Sequence, residues 1–584
     1  MRAPDWWIVG VYLGGTLALG LWLARRASGG LVEFFVGGRS LPWWLAGTSM
    51  AATTFSVDTP LYVTGLIARR GIAGNWEWWA FALSHVLLIT VFARLWRRAE
   101  VVTDVELTEL RYGGRPAAVL RASRAFLFAV PINCIAIGYV MLAMRKVIEA
   151  LGLFGGATAA LPGDERLWIV FALSAFVLLY AGISGLWGVV ATDFFQFALA
   201  LVGAILVAAF ALADIGGVGE LKRLVAAAGR ADALRMVPRP GSPDLPLGTF
   251  LAYLGIQWWA FRRSDGGGEF VQRMSACRDE REAERAAWLF NVLHYVVRAW
   301  PWILAGLAAL VLLPGLQDPE LGYPLLMLRY LPSGALGLVV ASFFAAFMST
   351  VSTQINWGAS YLVNDLYGRF VAPDATPRRL VALGRVASTG IVAAAGAAAF
   401  FAQDIGTVFR FMIAIGTGPG AVLILRWFWW RVNAWAELAA MLGGFAIALL
   451  SYLPVWGDMG FGLRLVVTAG GSALIWLPVL YLTPAESPET LEAFYRRVRP
   501  GGPGWRAVRR RIGVPAASRL ATDVERTLWA GLTLGGGMFA AGGIALQAWD
   551  SAAMSALAMT AGLAGLRWRA VRARRPTAAR GGGA

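Results

Sequence analysis

The chain has 584 residues, 58% hydrophobic and 15% charged, with a mean hydropathy of +0.60 and 27 tryptophans. This composition excludes a soluble globular domain and marks a polytopic membrane protein. The formal charge of +17 raises nucleic acid as a partner, but its distribution follows membrane topology instead; Cys134 and Cys277 are too few and too far apart for a disulfide framework or a metal site.

The first apolar run, Trp6 to Leu23, ends in Arg25-Arg26 without an A-x-A-type cleavage site, so it reads as a retained span rather than a signal peptide. Apolar runs of about 18 residues or more give 15 candidate helices, with cores near 5–24, 41–66, 74–97, 122–150, 166–183, 186–214, 248–264, 286–314, 333–364, 380–402, 405–428, 433–454, 462–482, 526–547 and 551–569. Arginines cluster in the loops around Arg25, Arg26 and Arg39, around Arg94 to Arg115, and around Arg262 to Arg278. They recur in 483–525 and in the tail from Arg567, which places all these segments in the cytoplasm, the N-terminus outside and the C-terminus inside. The loop 215–247 dissents, since it falls outside yet carries Lys222, Arg223, Arg230, Arg235 and Arg239. No extramembrane segment is large enough for an enzyme or signalling domain. The longest, 483–525, reads as a charged surface linker with room for one amphipathic helix, and the two helices after it read as peripheral packing elements.

Polar groups inside spans are expensive, so function is sought there. Asp58 lies in Thr53-Thr54-Phe55-Ser56-Val57-Asp58-Thr59-Pro60, where Pro60 interrupts the helix; such breaks line ion and solute sites, and a simple kink is an equal alternative. His85 and His294 are the only histidines and read first as hydrogen-bonded structural residues. Asp193, just inside the run 186–214, needs a proton or a cation. Gln257-Trp258 sets an amide beside an aromatic face, suited to a polar organic solute, with an interfacial tryptophan belt as the alternative. Arg298, in the middle of 286–314, needs a partner that the sequence does not name.

The densest polar signal is Ala345-Ala346-Phe347-Met348-Ser349-Thr350-Val351-Ser352-Thr353. On a helix, 346, 349, 350 and 353 share a face, with 352 at its margin. Hydroxyl oxygens without thiols or imidazoles beside them suit a hard cation such as sodium, whereas close helix packing is the bland account.

At this point the chain resembles the sodium:solute symporters, over about residues 5 to 505. The resemblance is carried by Phe34-Phe35-Val36-Gly37-Gly38-Arg39-Ser40-Leu41-Pro42-Trp43-Trp44, by Ala51-Ala52-Thr53-Thr54-Phe55-Ser56, and by Gly185-Leu186-Trp187-Gly188 running on to Thr192-Asp193-Phe194-Phe195-Gln196. Gln272-Arg273-Met274-Ser275-Ala276 and the Ser349/Thr350 helix ending in Asn364-Asp365-Leu366-Tyr367 complete it. The resemblance implies an all-α, LeuT-type fold: two inverted repeats of five helices, here 41–214 and 248–428. Around them lie an accessory helix and loop (1–40), an external loop (215–247), accessory helices (429–482), the cytoplasmic linker (483–525) and two peripheral helices with a basic tail (526–584).

It also implies a sodium site from the backbone carbonyls of Ala52, Phe55 and Ala346 and the hydroxyls of Ser349 and Thr350. In some members a second sodium matches Asp193, Ser349, Ser352 and Thr353. Solute-lining candidates are Asp58, Thr59, Gln257 and Trp258. Thr59 stands where some sugar carriers have Gln, and no arginine pair suggests a dicarboxylate clamp. The expected function is sodium-coupled import of a small polar solute, in the plasma membrane of a bacterium, with sodium, solute and lipid as partners. A proton-coupled permease using Asp193 or Asp58, and a transporter-like sensor, are the alternatives; no phosphate loop, triad or metal cluster suggests an enzyme.

Overall fold

The computed structural model describes residues 1–24, 37–101, 103–153, 165–181, 186–457 and 459–574. Arg25, Arg26, Phe34 to Val36 and Gly185 of the motifs above lie outside them. Among the described residues there are helices and two isolated bridges, with no strands. The principal helices are α1 (Ala3–Ala24), α2 (Trp43–Thr53), α3 (Asp58–Arg70), α4 (Ala82–Ala99), α5 (Gly114–Ala150), α6 (Glu165–Ala181), α7 (Leu186–Ile215), α8 (247–260), α9 (Glu269–Ala276) and α10 (Glu280–Leu312). They continue with α11 (Ala335–Val371), α12 (Pro377–Phe401), α13 (Ile405–Gly416), α14 (Gly420–Phe428), α15 (Ala434–Leu450), α16 (Phe461–Leu482), α17 (Leu520–Ala545) and α18 (Trp549–Arg574).

Seven helices among the described residues are long and apolar enough to cross a membrane unaided, or eight if α4 is joined to Ile72–Trp79 across a 45° bend. The 15 apolar runs of the sequence outnumber them because several runs are broken. The run 41–66 divides into α2 and α3 at Thr54 to Val57, where Pro60 in the first turn of α3 cannot continue α2. The run 248–264 stops at Ala260, before a loop in which Gly266 and Gly268 have positive φ. The run 405–428 is two helices, parted at Thr417-Gly418-Pro419 with Gly418 at φ 133°.

The last two breaks are tied to each other. Arg262 N donates to Gly416 O at 2.8 Å, and Gly418 N donates to Ala260 O at 2.9 Å. A Cβ at Gly420 would meet Trp259 O at 2.2 Å and the Ala260 carbonyl carbon at 2.4 Å. Gly420→Ala must therefore push two backbones apart and is expected to destabilise the protein by about 1–3 kcal/mol or more, read as a lowered unfolding midpoint.

Two buried ionic clusters fasten the helices. In one, Glu437 on α15 holds Arg124, Arg426 and the Tyr112 hydroxyl, while Asp265 takes Arg426 at 2.6 Å and Asp104 takes Arg124 at 3.0 Å. In the other, Glu77 accepts from Tyr62 and Arg70, and Glu320 takes Lys146 at 2.6 Å and the first amides of α13. Lys222 of the dissenting loop donates to Leu546 O at 3.0 Å, capping the turn between α17 and α18.

Segment 483–525 is more than a surface linker. Its helix Pro488–Val498 buries Leu491, Phe494, Tyr495 and Val498; Trp505 is also buried, stacks on Phe494 and donates to Trp427 O at 2.8 Å. The amphipathic face expected there packs against protein.

Candidate ion and solute site

The site grows from the broken first core helix. The last turn of α2 ends in carbonyls with no partner in the helix, a partial negative charge aimed at the break. Arg298 on α10 answers it: Nη1 donates to Ala51 O and Nη2 to Thr54 O, both at 2.8 Å. The guanidinium also lies over the rings of Phe55 and Trp302. This is the partner the sequence did not name, and two main-chain oxygens leave no signal that could have named it. The carbonyls so tethered neighbour those of Ala52 and Phe55.

Across the break stands α11, on which Ala346, Ser349, Thr350, Ser352 and Thr353 are all buried. A void of about 10 Å³, lined mostly by apolar side chains, touches Phe55 of the break and Ala346 of α11 but not Ala52, Ser349 or Thr350. That is about the room of one water-sized particle. The oxygens of Thr350 and Thr353 are buried and have no hydrogen-bond partner. Ser349 Oγ donates to Asp193 Oδ1 at 2.6 Å, and Ser49 Oγ on α2 donates to Asp193 Oδ2 at 2.6 Å. Ser352 Oγ donates to Ser349 O at 3.2 Å.

Beside these hydroxyls lies a cavity of about 210 Å³. Thr53, Thr54 and Thr350 line it on the ion-site side, with Asp58 and Thr59 along the start of α3. Aromatic walls come from Tyr62, Trp78, Tyr139 and Phe409. Asp58 Oδ1 and Ser56 Oγ are buried without partners. Both histidines border the cavity and are hydrogen-bonded, His294 Nδ1 with Thr54 Oγ1 at 3.2 Å and His85 Nδ1 with Tyr295 OH at 2.9 Å.

Of the solute candidates, the structure brings Asp58 and Thr59 to the cavity and leaves Gln257 and Trp258 off its wall. Gln257 is fully buried and donates to Glu77 O at 2.6 Å, and Trp258 Nε1 bonds within its own helix to Leu254 O. Arg262, Arg263 and Arg298 do reach the wall, an arginine group that the sequence spacing did not reveal.

An α-helical bundle with a cavity at interrupted helices is the arrangement of a membrane-embedded secondary transporter. The solved structure of a Na+-coupled sialic acid symporter in a substrate-bound, outward-open state shares this fold, with a TM-score of 0.66 over 83% of this chain and 99% of that one, at 20% identity. The model of the sodium:solute symporter family matches residues 34–444, and the chain belongs to that family. A sodium/glucose cotransporter of Vibrio parahaemolyticus is 24% identical over 485 residues, covering 77% of this chain and 86% of the relative. A sodium/mannose cotransporter of Bos taurus is 27% identical over 487 residues, covering 75% and 77%. These relatives are transporters, not enzymes.

Proposed function

We propose that the protein is a sodium-coupled symporter that carries a small polar organic solute inward by alternating access. The observation that carries this reading is Thr350, whose buried hydroxyl oxygen has no partner while its side chain borders the cavity beside the broken helix. Sodium would be held there by the carbonyls of Ala52, Phe55 and Ala346 and the hydroxyls of Ser349 and Thr350, an all-oxygen set suited to a hard cation. Residues 41–214 and 248–428 are taken as the two inverted repeats, a division supported by an interrupted helix near the start of each.

The solute would sit against Asp58 and Thr59, between aromatic walls. Asp58 Oδ1 would accept from a hydroxyl or ammonium group of the solute, while Arg262, Arg263 and Arg298 on the same wall suit an acidic group on it. Sodium can drive the cycle only through its different affinity for the outward and inward states. Each ion moved inward also gains about 2.3 kcal/mol per 100 mV of inside-negative potential.

The test is uptake into proteoliposomes of labelled sugars, polyols and amino acids under an inward sodium gradient, an inward proton gradient, or neither. Sodium-driven accumulation of at least one solute, which a proton gradient does not replace, is the expected result. Asp58, an ionisable group on the cavity wall, is the residue that favours the rival proton-coupled reading. Accumulation driven by protons alone would establish that rival.

A further inference from the structure

The residues matched to a second sodium do not fit one. Both oxygens of Asp193 already accept short bonds from serine hydroxyls, Oδ1 from Ser349 and Oδ2 from Ser49. Arg273 on α9 brings Nη2 to 3.9 Å from Asp193 Oδ2. The same guanidinium donates to Ser49 Oγ at 3.3 Å and to Thr53 Oγ1 at 3.2 Å. Asp193 and Arg273 are each 1% exposed, so neither charge is screened by water. Ser352 turns its hydrogen back onto Ser349 O. Thr353 Oγ1 lacks a partner and Ser352 Oγ keeps its lone pairs, so the obstacle to a second sodium is charge and not a shortage of oxygens: Arg273 already stands against the one carboxylate. With a sodium at the first site, a second would put a third positive group beside a single carboxylate.

We infer that Arg273 supplies the positive charge that a second sodium would bring, and that Asp193 is a positioning residue for the first sodium site, so that each copy of the protein binds one sodium. The inference rests on the symport reading above. A hydroxyl has one hydrogen and two lone pairs. Ser349 gives its hydrogen to Asp193, which fixes its rotamer, leaves its lone pairs for the ion and makes its oxygen a stronger donor to a cation, as a carboxylate behind a metal ligand does. Through Ser49 the same carboxylate holds α2, which ends in the carbonyls of the ion site, and Arg273 adds α9. Four helices are thus registered on one neutral pair.

The test is equilibrium binding of radioactive sodium to the purified protein, with a sodium titration of its melting temperature. Wild type is expected to bind one ion per chain with a Hill slope near 1. Asp193→Asn is expected to keep that single site with affinity weakened roughly 10–100-fold. Arg273→Gln, by freeing the carboxylate, is expected to raise the bound sodium above one per chain, and Arg273→Lys to return it to one. Two ions in wild type, falling to one in Asp193→Asn, would overturn the assignment, as would an unchanged affinity in Asp193→Asn. Should Arg273→Gln fail to fold, the wild type and Asp193→Asn decide the matter alone. No sodium bound by wild type would instead refute symport itself, a separate result from two.

Discussion

Arg298→Met is expected to lower stability by about 3 kcal/mol or more and to weaken sodium binding at least tenfold. The side chain makes two bonds from a charged group, one buried to Ala51 O and one part-buried to Thr54 O, and such bonds contribute about 1.5–3 kcal/mol each. Methionine fills much of the same volume against Phe55 and Trp302, so packing is largely kept and the loss is electrostatic. The Thr54 carbonyl then loses its guanidinium donor, and Ala51 O keeps only the Thr54 hydroxyl. Because the carbonyls of Ala52 and Phe55 belong to the same turn, the ion site loses its shape with the turn. Unfolding midpoints in detergent, with and without sodium, measure both effects. Arg298→Lys, with a compact charge in place of the planar fork, should recover only part of the loss.

A second large effect is expected in the buried ionic cluster around Glu437. Glu437→Ala should cost about 3–5 kcal/mol, because it removes the shared partner of two buried guanidiniums. Arg124 and Arg426 are left with Asp104 and Asp265 respectively, and the Tyr112 hydroxyl loses its acceptor. Arg111, which donates to the carbonyls of Arg426 and Val432, keeps its bonds, so the cluster gains a net positive charge in a dry interior. Adding Arg426→Met to Glu437→Ala should restore part of the stability by removing the excess charge, although it also leaves Asp265 short of a partner. Denaturation of the single and double variants measures the coupling. The effect should resist added salt, since screening acts weakly on buried pairs.

The fold class and the hydroxyl face of α11 were legible because both rest on local pattern: membrane-length apolar runs, and oxygens repeated at helical spacing. The break at Thr54 to Val57 was half legible through Pro60. The break at Thr417-Gly418-Pro419 carried an equally plain signal, a Gly-Pro pair, but the apolar residues on either side hid it within one span-length run. Gln257 looked like a solute ligand because its tertiary partner, the Glu77 carbonyl, lies 180 residues away and has no sequence signature. The same reason hid the partner of Arg298. Segment 483–525 was read as exposed because its arginines dominate the composition, whereas every third or fourth residue of Pro488–Val498 faces the protein.

The most direct measurement of the central claim is the melting temperature of the purified protein in NaCl, KCl and choline chloride at equal ionic strength, for wild type and Thr350→Ala. A ligand that binds only the folded state at 100 times its Kd adds about 2.7 kcal/mol of stability. Wild type is therefore expected to melt higher in sodium than in either other salt, and Thr350→Ala to melt alike in all three. Equal melting of the wild type in the three salts would contradict a sodium site between the broken helix and α11.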